Sequence, residues 1–217
     1  MKNTILLTIG FISFVTLGQA AVTIDSFDDP FSPITVDSSM PTAMILGQAI
    51  PIGSRSVTLE YKDGPLHATA EADGGILRMD SEYDTAADLW VDWEFTSSLD
   101  LTSGGDQIIL SFLDNDLGNT GNSVAFSVTS GTSTAMIDVT SAIQTPNGGD
   151  VSLPFSDFSG VDFSAVSSMK LSVNGGAALD IELDKIYIAG TTSVPEPGFV
   201  GALFLASLGF VARRKRS

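Results

Sequence analysis

The segment Leu89-Trp90-Val91-Asp92-Trp93-Glu94-Phe95 decides the fold, because its side chains divide between two faces with a period of two. This period is typical of a β-strand that buries one face. The residues predicted to face the core are Leu89, Val91, Trp93 and Phe95. Those predicted to face outward are Trp90, Asp92 and Glu94. A strand of this kind needs partner strands, which the flanking sequence supplies.

The same alternation recurs on both sides of this segment, in roughly ten short stretches separated by turn residues. Residues 57–61 precede it, and residues 124–128 and 169–173 follow it. Residues 108–113 are apolar on both faces, which predicts a strand inside a sheet. A parallel β-helix is the alternative, but the sequence has no fixed repeat period. We predict an all-β fold, an antiparallel β-sandwich of jelly-roll type.

Two irregular regions interrupt the alternation. Residues 28–54 are rich in proline and serine and are predicted to be mostly loop, with one short strand at 43–46. Further along, the inward phase moves from odd positions (179–183) to even positions (186–188). This shift predicts a β-bulge near Asp184 and Lys185.

The N-terminus has the three parts of a secretory signal peptide. A short basic start (1–3) precedes an apolar run (4–17), and Gly18-Gln19-Ala20 places small residues where a signal peptidase reads them. We predict a signal peptide over residues 1–20, cleaved after Ala20. An uncleaved N-terminal anchor is the alternative.

The C-terminus combines a proline motif, an apolar run and a basic end. Pro195-Glu196-Pro197 favours an exposed, extended peptide. The uncharged run 198–212 would form a helix of roughly 22 Å, shorter than the ~30 Å hydrocarbon core of a bilayer. Arg213-Arg214-Lys215-Arg216 should stay on the cytoplasmic side and stop transfer. We predict a single transmembrane-type helix; a buried core helix is the alternative.

This tail resembles a PEP-CTERM sorting signal in all three parts, with Val194-Pro195-Glu196-Pro197 as the motif. The resemblance implies an exported surface protein of a Gram-negative bacterium. Such a protein is recognised by a membrane-embedded exosortase, cut near the motif and passed to the cell surface or the exopolysaccharide matrix. The predicted organisation is a signal peptide (1–20), a β-sandwich domain (21–193) and a sorting and anchor segment (194–217).

The charge balance narrows the classes of partner. The chain has a formal net charge of -16. Without the two end segments, the ten basic residues fall to five and the 26 acidic residues to 25, so the domain carries about -20. This charge argues against nucleic acid and anionic lipid as partners. The absence of cysteine excludes disulfides and thiol catalysis.

The predicted domain resembles the galactose-binding-like jelly rolls that serve as carbohydrate-binding modules. The resemblance lies in residues 24–29, 155–158, 161–163 and 183–188. It implies binding of extracellular polysaccharide. An outward Trp90 beside Asp92 and Glu94 fits that role, since a flat aromatic ring with neighbouring acceptors can hold a sugar. Alternatively, the 28–54 segment covers Trp90, or Trp90 packs between the two sheets.

Similar modules carry a structural calcium ion where their first and last strands adjoin, so the same resemblance implies Asp25, Asp28 and Asp184 as ligands. Calcium takes six to eight oxygen ligands, and carboxylates suit it. Asp114 and Asp116, in a Gly/Asn/Asp loop, are a second candidate that lacks the ligand order of an EF-hand. Solvated acidic loops are the alternative for both.

No catalytic set is evident in the sequence. His67 is the one histidine, and it is predicted to be a solvated residue in a strand. Glu182-Leu183-Asp184 resembles the start of the catalytic strand of laminarinase-type hydrolases, but Ile186 and Tyr187 stand where a second glutamate is needed. We therefore predict a non-enzymatic polysaccharide-binding protein. A structural or adhesion protein without sugar specificity is the alternative, and a glycoside hydrolase is a distant third.

Overall fold

The computed structural model describes residues 21–117, 121–143 and 148–190. The predicted signal peptide, the sorting motif and the apolar and basic parts of the tail lie outside these ranges. Within them, no helix has the length and apolar character needed to cross a bilayer.

The described residues form thirteen strands, one short helix and one 3-10 turn. The strands are β1 (Val22–Asp25), β2 (Phe31–Val36), β3 (Thr42–Ile50), β4 (Gly53–Asp63), β5 (Ala68–Asp73), β6 (Ile76–Ser81), β7 (Ala86–Leu99), β8 (Gln107–Asn115), β9 (Ser123–Ser130), β10 (Ser133–Asp138), β11 (Gly149–Pro154), β12 (Val166–Asn174) and β13 (Asp180–Ala189). The helix α1 is Thr140–Ile143, and the 3-10 turn is Phe155–Asp157.

The strands make two antiparallel sheets. Sheet A has the order β11-β8-β13-β6-β5-β2, with β1 paired to β13, and sheet B has the order β10-β9-β12-β7-β4-β3. The buried side chains of both sheets belong to one hydrophobic core. The predicted antiparallel β-sandwich is therefore confirmed.

The core explains why β7 lies inside sheet B, between β4 and β12. Leu89, Val91 and Trp93 are fully buried, and the Trp93 ring centroid lies 6.4 Å from that of Phe126 on β9. Full burial of one such apolar side chain contributes about 1.5–3 kcal/mol. The predicted inward face of 89–95 is confirmed, with Phe95 only half-buried near the end of the face.

The prediction that residues 28–54 are mostly loop is wrong, because the segment supplies β2, the whole of β3 and the start of β4. The short strand predicted at 43–46 lies within β3. Both are edge strands, β2 in sheet A and β3 in sheet B. Edge strands tolerate proline, as at Pro33, because one side of the strand forms no ladder. Gly47 has a φ of +63° within the register shift of β3, which further interrupts the alternation.

Two other sequence predictions are confirmed. β8 lies inside sheet A, between β11 and β13, as the apolar run 108–113 predicted. The pairing of β13 with β8 shifts register between Leu183 and Lys185, at the predicted bulge. Ile186 and Ile188 are consequently fully buried, although they have the opposite parity to Leu183.

Candidate functional site

The outward side chains of β4, β7 and β12 form the outer face of sheet B. Trp90 lies near its centre, in register with Thr58 on β4 and Ser172 on β12. These two neighbours are small, so the indole is half-buried rather than covered. We call this surface the Trp90 face, and its residues are Ser54, Ser56, Thr58, Glu60, Lys62, Asp88, Trp90, Asp92, Glu94, Ser168, Lys170 and Ser172.

Two lysines flank the indole from the neighbouring strands. The Nζ atoms of Lys62 and Lys170 lie 5.7 Å and 5.9 Å from the centroid of the Trp90 ring. Both distances are within the range of a cation–π interaction, which contributes about 0.5–1 kcal/mol at an exposed site. The lysines therefore hold the ring in place on the sheet.

Each lysine is also paired with a carboxylate. Lys62 Nζ lies 3.0 Å from Asp88 Oδ2 and 3.3 Å from Glu60 Oε1, and Lys170 Nζ lies 3.0 Å from Asp92 Oδ1. The hydrogen bond to Asp88 raises the pKa of the Lys62 ammonium above its usual value. Trp90 thus has a hydrogen-bonding acid–lysine pair on each side.

Asp88 is the more enclosed of the two acids. The residue is 8% exposed, and its Oδ1 atom has no hydrogen-bond partner among the described residues. A buried acceptor without a donor costs about 1–3 kcal/mol.

The structure places the three predicted binding residues together. Trp90, Asp92 and Glu94 all point outward from β7, and Trp90 does not pack between the sheets. The sequence analysis missed Lys62 and Lys170. Their outward phase in β4 and β12 was a signal, but only the strand order shows that both strands flank β7. The binding role of these residues stays a prediction.

Comparison with known proteins gives structural neighbours only. No protein-family model matches the chain, and no curated protein matches it. The family 11 carbohydrate-binding module of a cellulosomal cellulase of Clostridium thermocellum has 10% identity and a TM-score of 0.42, over 81% of this chain and 97% of that one. A family 30 carbohydrate-binding module has 14% identity and a TM-score of 0.43, over 82% and 91%. An agarase has 13% identity and a TM-score of 0.40, over 82% of this chain and 26% of the agarase.

The first predicted calcium site is not formed by the described residues, because Asp25 has other partners. Its buried carboxylate accepts hydrogen bonds from Arg55 Nη1 at 2.9 Å, Trp93 Nε1 at 2.8 Å and the Phe27 amide at 2.9 Å. Calcium would have to displace Arg55 and leave its charge unpaired in the core.

The other two residues of that predicted site have separate partners. Asp28 Oδ2 accepts a hydrogen bond from Ser26 at 2.7 Å, and Asp184 lies 3.4 Å from Lys185. No three acidic, histidine or cysteine residues in the described ranges group closely enough to hold a metal ion.

Arg55 is a structural residue that the sequence analysis missed. It is fully buried, and its guanidinium also donates to the Asp29 carbonyl at 2.6 Å and to Gln48 Oε1 at 2.7 Å. It lies over the rings of Phe27 and Phe31, at 5.1 Å and 5.6 Å from their centroids. Its signal in the sequence was a charged residue two positions before Val57, in the inward phase of β4.

The second predicted calcium pair lies in an acidic surrounding. Burial raises the pKa of the Asp180 carboxyl, with further contributions from Asp80, Asp116 and Asp114. The Asp116 amide also donates to the Asp180 carbonyl at 2.8 Å. The structure therefore places Asp114 and Asp116 near Asp80 and Asp180, but no three of these carboxylates group closely enough to hold a metal ion, and calcium binding there stays a prediction.

The residues considered for catalysis are in contact with charged neighbours. His67 precedes β5 instead of lying within a strand, and its Nδ1 lies 3.0 Å from Glu82 Oε2. Glu182 Oε1 accepts a hydrogen bond from Arg78 Nε at 2.9 Å. A carboxylate held in this way is poorly suited to the proton transfer that a glycosidase acid performs.

Proposed function

We propose that this protein binds extracellular polysaccharide through the Trp90 face of its sandwich. The observation that carries the proposal is the half-exposed indole near the centre of the face, with an acid–lysine pair on each side. The apolar face of a sugar ring can stack on an indole, and its hydroxyls need both donors and acceptors around the edge. The Trp90 face supplies the stacking surface, the hydrogen-bond donors and the hydrogen-bond acceptors.

The surrounding residues suit a long ligand. The residues beside the indole have short, hydroxyl-bearing side chains that do not project far above the sheet: Ser56, Thr58, Ser168 and Ser172. Same-face residues on one strand are spaced by roughly 6.6–6.8 Å, so Asp88 and Asp92 are about 13–14 Å apart along β7. A polymer lying across Trp90 could therefore meet both acid–lysine pairs.

The test is retention of the full-length protein in native gels that contain a soluble polysaccharide. We expect Trp90→Ala to abolish retention, because the stacking surface is lost. Tyr83→Ala is the matched control, since Tyr83 is an aromatic residue that is 76% exposed in the turn between β6 and β7 and is not one of the residues of the Trp90 face. Equal retention of wild type and Trp90→Ala on every polysaccharide bound would refute the proposal.

We also propose that the protein is exported and sorted. Signal peptidase would remove residues 1–20, and an exosortase would recognise Val194-Pro195-Glu196-Pro197, leaving a jelly-roll-type domain at the cell surface or in the matrix. The support is the order of motif, apolar run and basic end in the sequence. The test is the intact mass of the protein from its native host, with and without the exosortase. An unchanged C-terminus in both strains would make the tail a plain membrane anchor.

The alternative functions give different results in the same assays. A structural or adhesion protein without sugar specificity would show no dependence on Trp90. A glycoside hydrolase would release reducing sugar from the bound polymer, and Glu182→Gln would stop that release.

A further inference from the structure

The charges of the Trp90 face are unbalanced. It carries four carboxylates and two ammonium groups, a net charge of -2. The carboxylates belong to Glu60, Asp88, Asp92 and Glu94, and the ammonium groups to Lys62 and Lys170. Asp88 and Asp92 are held by the lysines, whereas Glu94 is exposed at one end of the face.

The two lysines are poorly placed to attract an anion. Each already lies 3.0 Å from a carboxylate oxygen of its own face. An incoming carboxylate or sulfate would have to displace Asp88 or Asp92 and would then stand beside it, and two like charges in contact are unfavourable. A hydroxyl group can instead accept from the ammonium or donate to the carboxylate without breaking the pair.

The negative charge of the whole chain also disfavours the binding of anionic ligands. Its formal net charge is -16, and the region 21–193 carries about -20 by sequence. Such a field lowers the local concentration of a polyanion, although salt screens it over about 8 Å at physiological ionic strength.

We infer that the Trp90 face selects neutral, hydroxyl-rich polysaccharide and rejects acidic polysaccharide such as polyuronates. The inference rests on the proposed function and adds the ligand class. Trp90 supplies the stacking surface, and the acid–lysine pairs form hydrogen bonds with sugar hydroxyl groups. The surplus negative charge comes from Glu60, which shares Lys62 with Asp88, and from the exposed Glu94, and these two are specificity residues that repel acidic sugars.

The test measures the affinity of the full-length protein for two neutral probes, β-glucan and galactomannan, and two acidic probes, alginate and hyaluronate. We expect at least one neutral probe to bind with a Kd that changes little between about 20 and 300 mM NaCl. We expect acidic probes to bind at least about tenfold more weakly at low salt.

A pair of double variants separates the local charge from the charge of the chain. Glu60→Gln with Glu94→Gln makes the Trp90 face neutral and should narrow the difference between neutral and acidic probes. Glu71→Gln with Asp73→Asn removes two charges from β5 of sheet A and should leave the difference unchanged. Equal effects of the two double variants would overturn the assignment of Glu60 and Glu94.

The remaining outcomes distinguish this inference from the proposed function. Binding of alginate or hyaluronate that is tighter than neutral binding, weakens with salt and is lost in Trp90→Ala would overturn the selectivity while sparing the proposed function. Failure of all four probes to show Trp90-dependent binding would overturn both.

Discussion

Asp25 and Arg55 form an ion pair inside the sandwich, with 2.9 Å between Asp25 Oδ2 and Arg55 Nη1. Their side chains are 4% and 0% exposed. The pair joins β1 of sheet A to β4 of sheet B, and Trp93 of β7 donates to the same carboxylate. Thirty residues of sequence separate the two partners, so the contact fixes how the N-terminal segment enters the core.

Breaking this pair should be costly. Asp25→Asn leaves the Arg55 charge buried without its counterion, and we expect a loss of about 3–5 kcal/mol in the free energy of unfolding. Urea unfolding of the full-length protein measures it. Glu182→Gln, which breaks the partly exposed pair with Arg78, is the matched control and should cost about 0–1 kcal/mol. Equal losses in the two variants would show that Asp25 and Arg55 contribute no more than a surface pair.

The two tryptophans should behave oppositely on mutation. Trp93 is fully buried, and Trp93→Ala should cost about 3–5 kcal/mol of stability. Trp90 lies on the outer face, so Trp90→Ala should cost only about 1–2 kcal/mol, mainly the two cation–π contacts. Thermal unfolding measures both. A large loss in Trp90→Ala would mean that the indole is retained for stability instead of binding.

Asp180 should make stability depend on pH. Burial and neighbouring aspartates raise the folded-state pKa of this carboxyl above its ordinary value of 3.8. The folded state therefore holds the proton more tightly than the unfolded state. The contribution of Asp180 to stability falls as the pH rises through the window between the two pKa values.

Asp180→Asn removes the destabilisation that the charged Asp180 carboxylate causes in the folded state. We expect the variant to have a higher melting temperature than wild type at pH 7, with the difference shrinking as the pH falls through the raised folded-state pKa towards 3.8, the ordinary value. Asp73→Asn, on an exposed strand end of the same sheet, is the control. A difference that is constant with pH would contradict the role assigned to the Asp180 charge.

Calcium is the untested part of the sequence prediction at Asp114 and Asp116. No three of these residues, Asp80 and Asp180 group closely enough in the described structure to hold a metal ion, so calcium binding requires their side chains to move together. If calcium binds in this way, it relieves the repulsion among them, and millimolar calcium should raise the melting temperature above that in EDTA. Asp114→Asn with Asp116→Asn should remove the increase. An identical melting temperature in calcium and EDTA would refute this site.

The alternation of apolar and polar residues predicted the fold best where one face of a strand is continuously apolar. The period of two in 89–95 identified the buried face, and the change of parity before Ile186 identified the bulge in β13. β2 escaped prediction and only the 43–46 part of β3 was predicted, because both are edge strands, in which proline and a left-handed Gly47 are tolerated and the alternation is weak.

The candidate site was only partly predictable for a similar reason. Trp90, Asp92 and Glu94 share one strand, so their common face follows from the alternation. Lys62 and Lys170 reach the indole from β4 and β12, and pairing between distant strands depends on the global topology. The burial of Arg55 was likewise hidden, because its counterion comes from another sheet.

Val22 of β1 lies opposite Ile188 of β13, so the two ends of the described domain leave it side by side. Because the bonds of an antiparallel ladder run perpendicular to the strands, a force that pulled these ends apart would load the bonds between β1 and β13 one after another instead of all together. A pull between the C-terminal end and a polymer on the Trp90 face would bypass β1. That force would act on the sandwich through β7, which is hydrogen-bonded along both edges. The domain is therefore mechanically better suited to being held by one end and its ligand than by both ends.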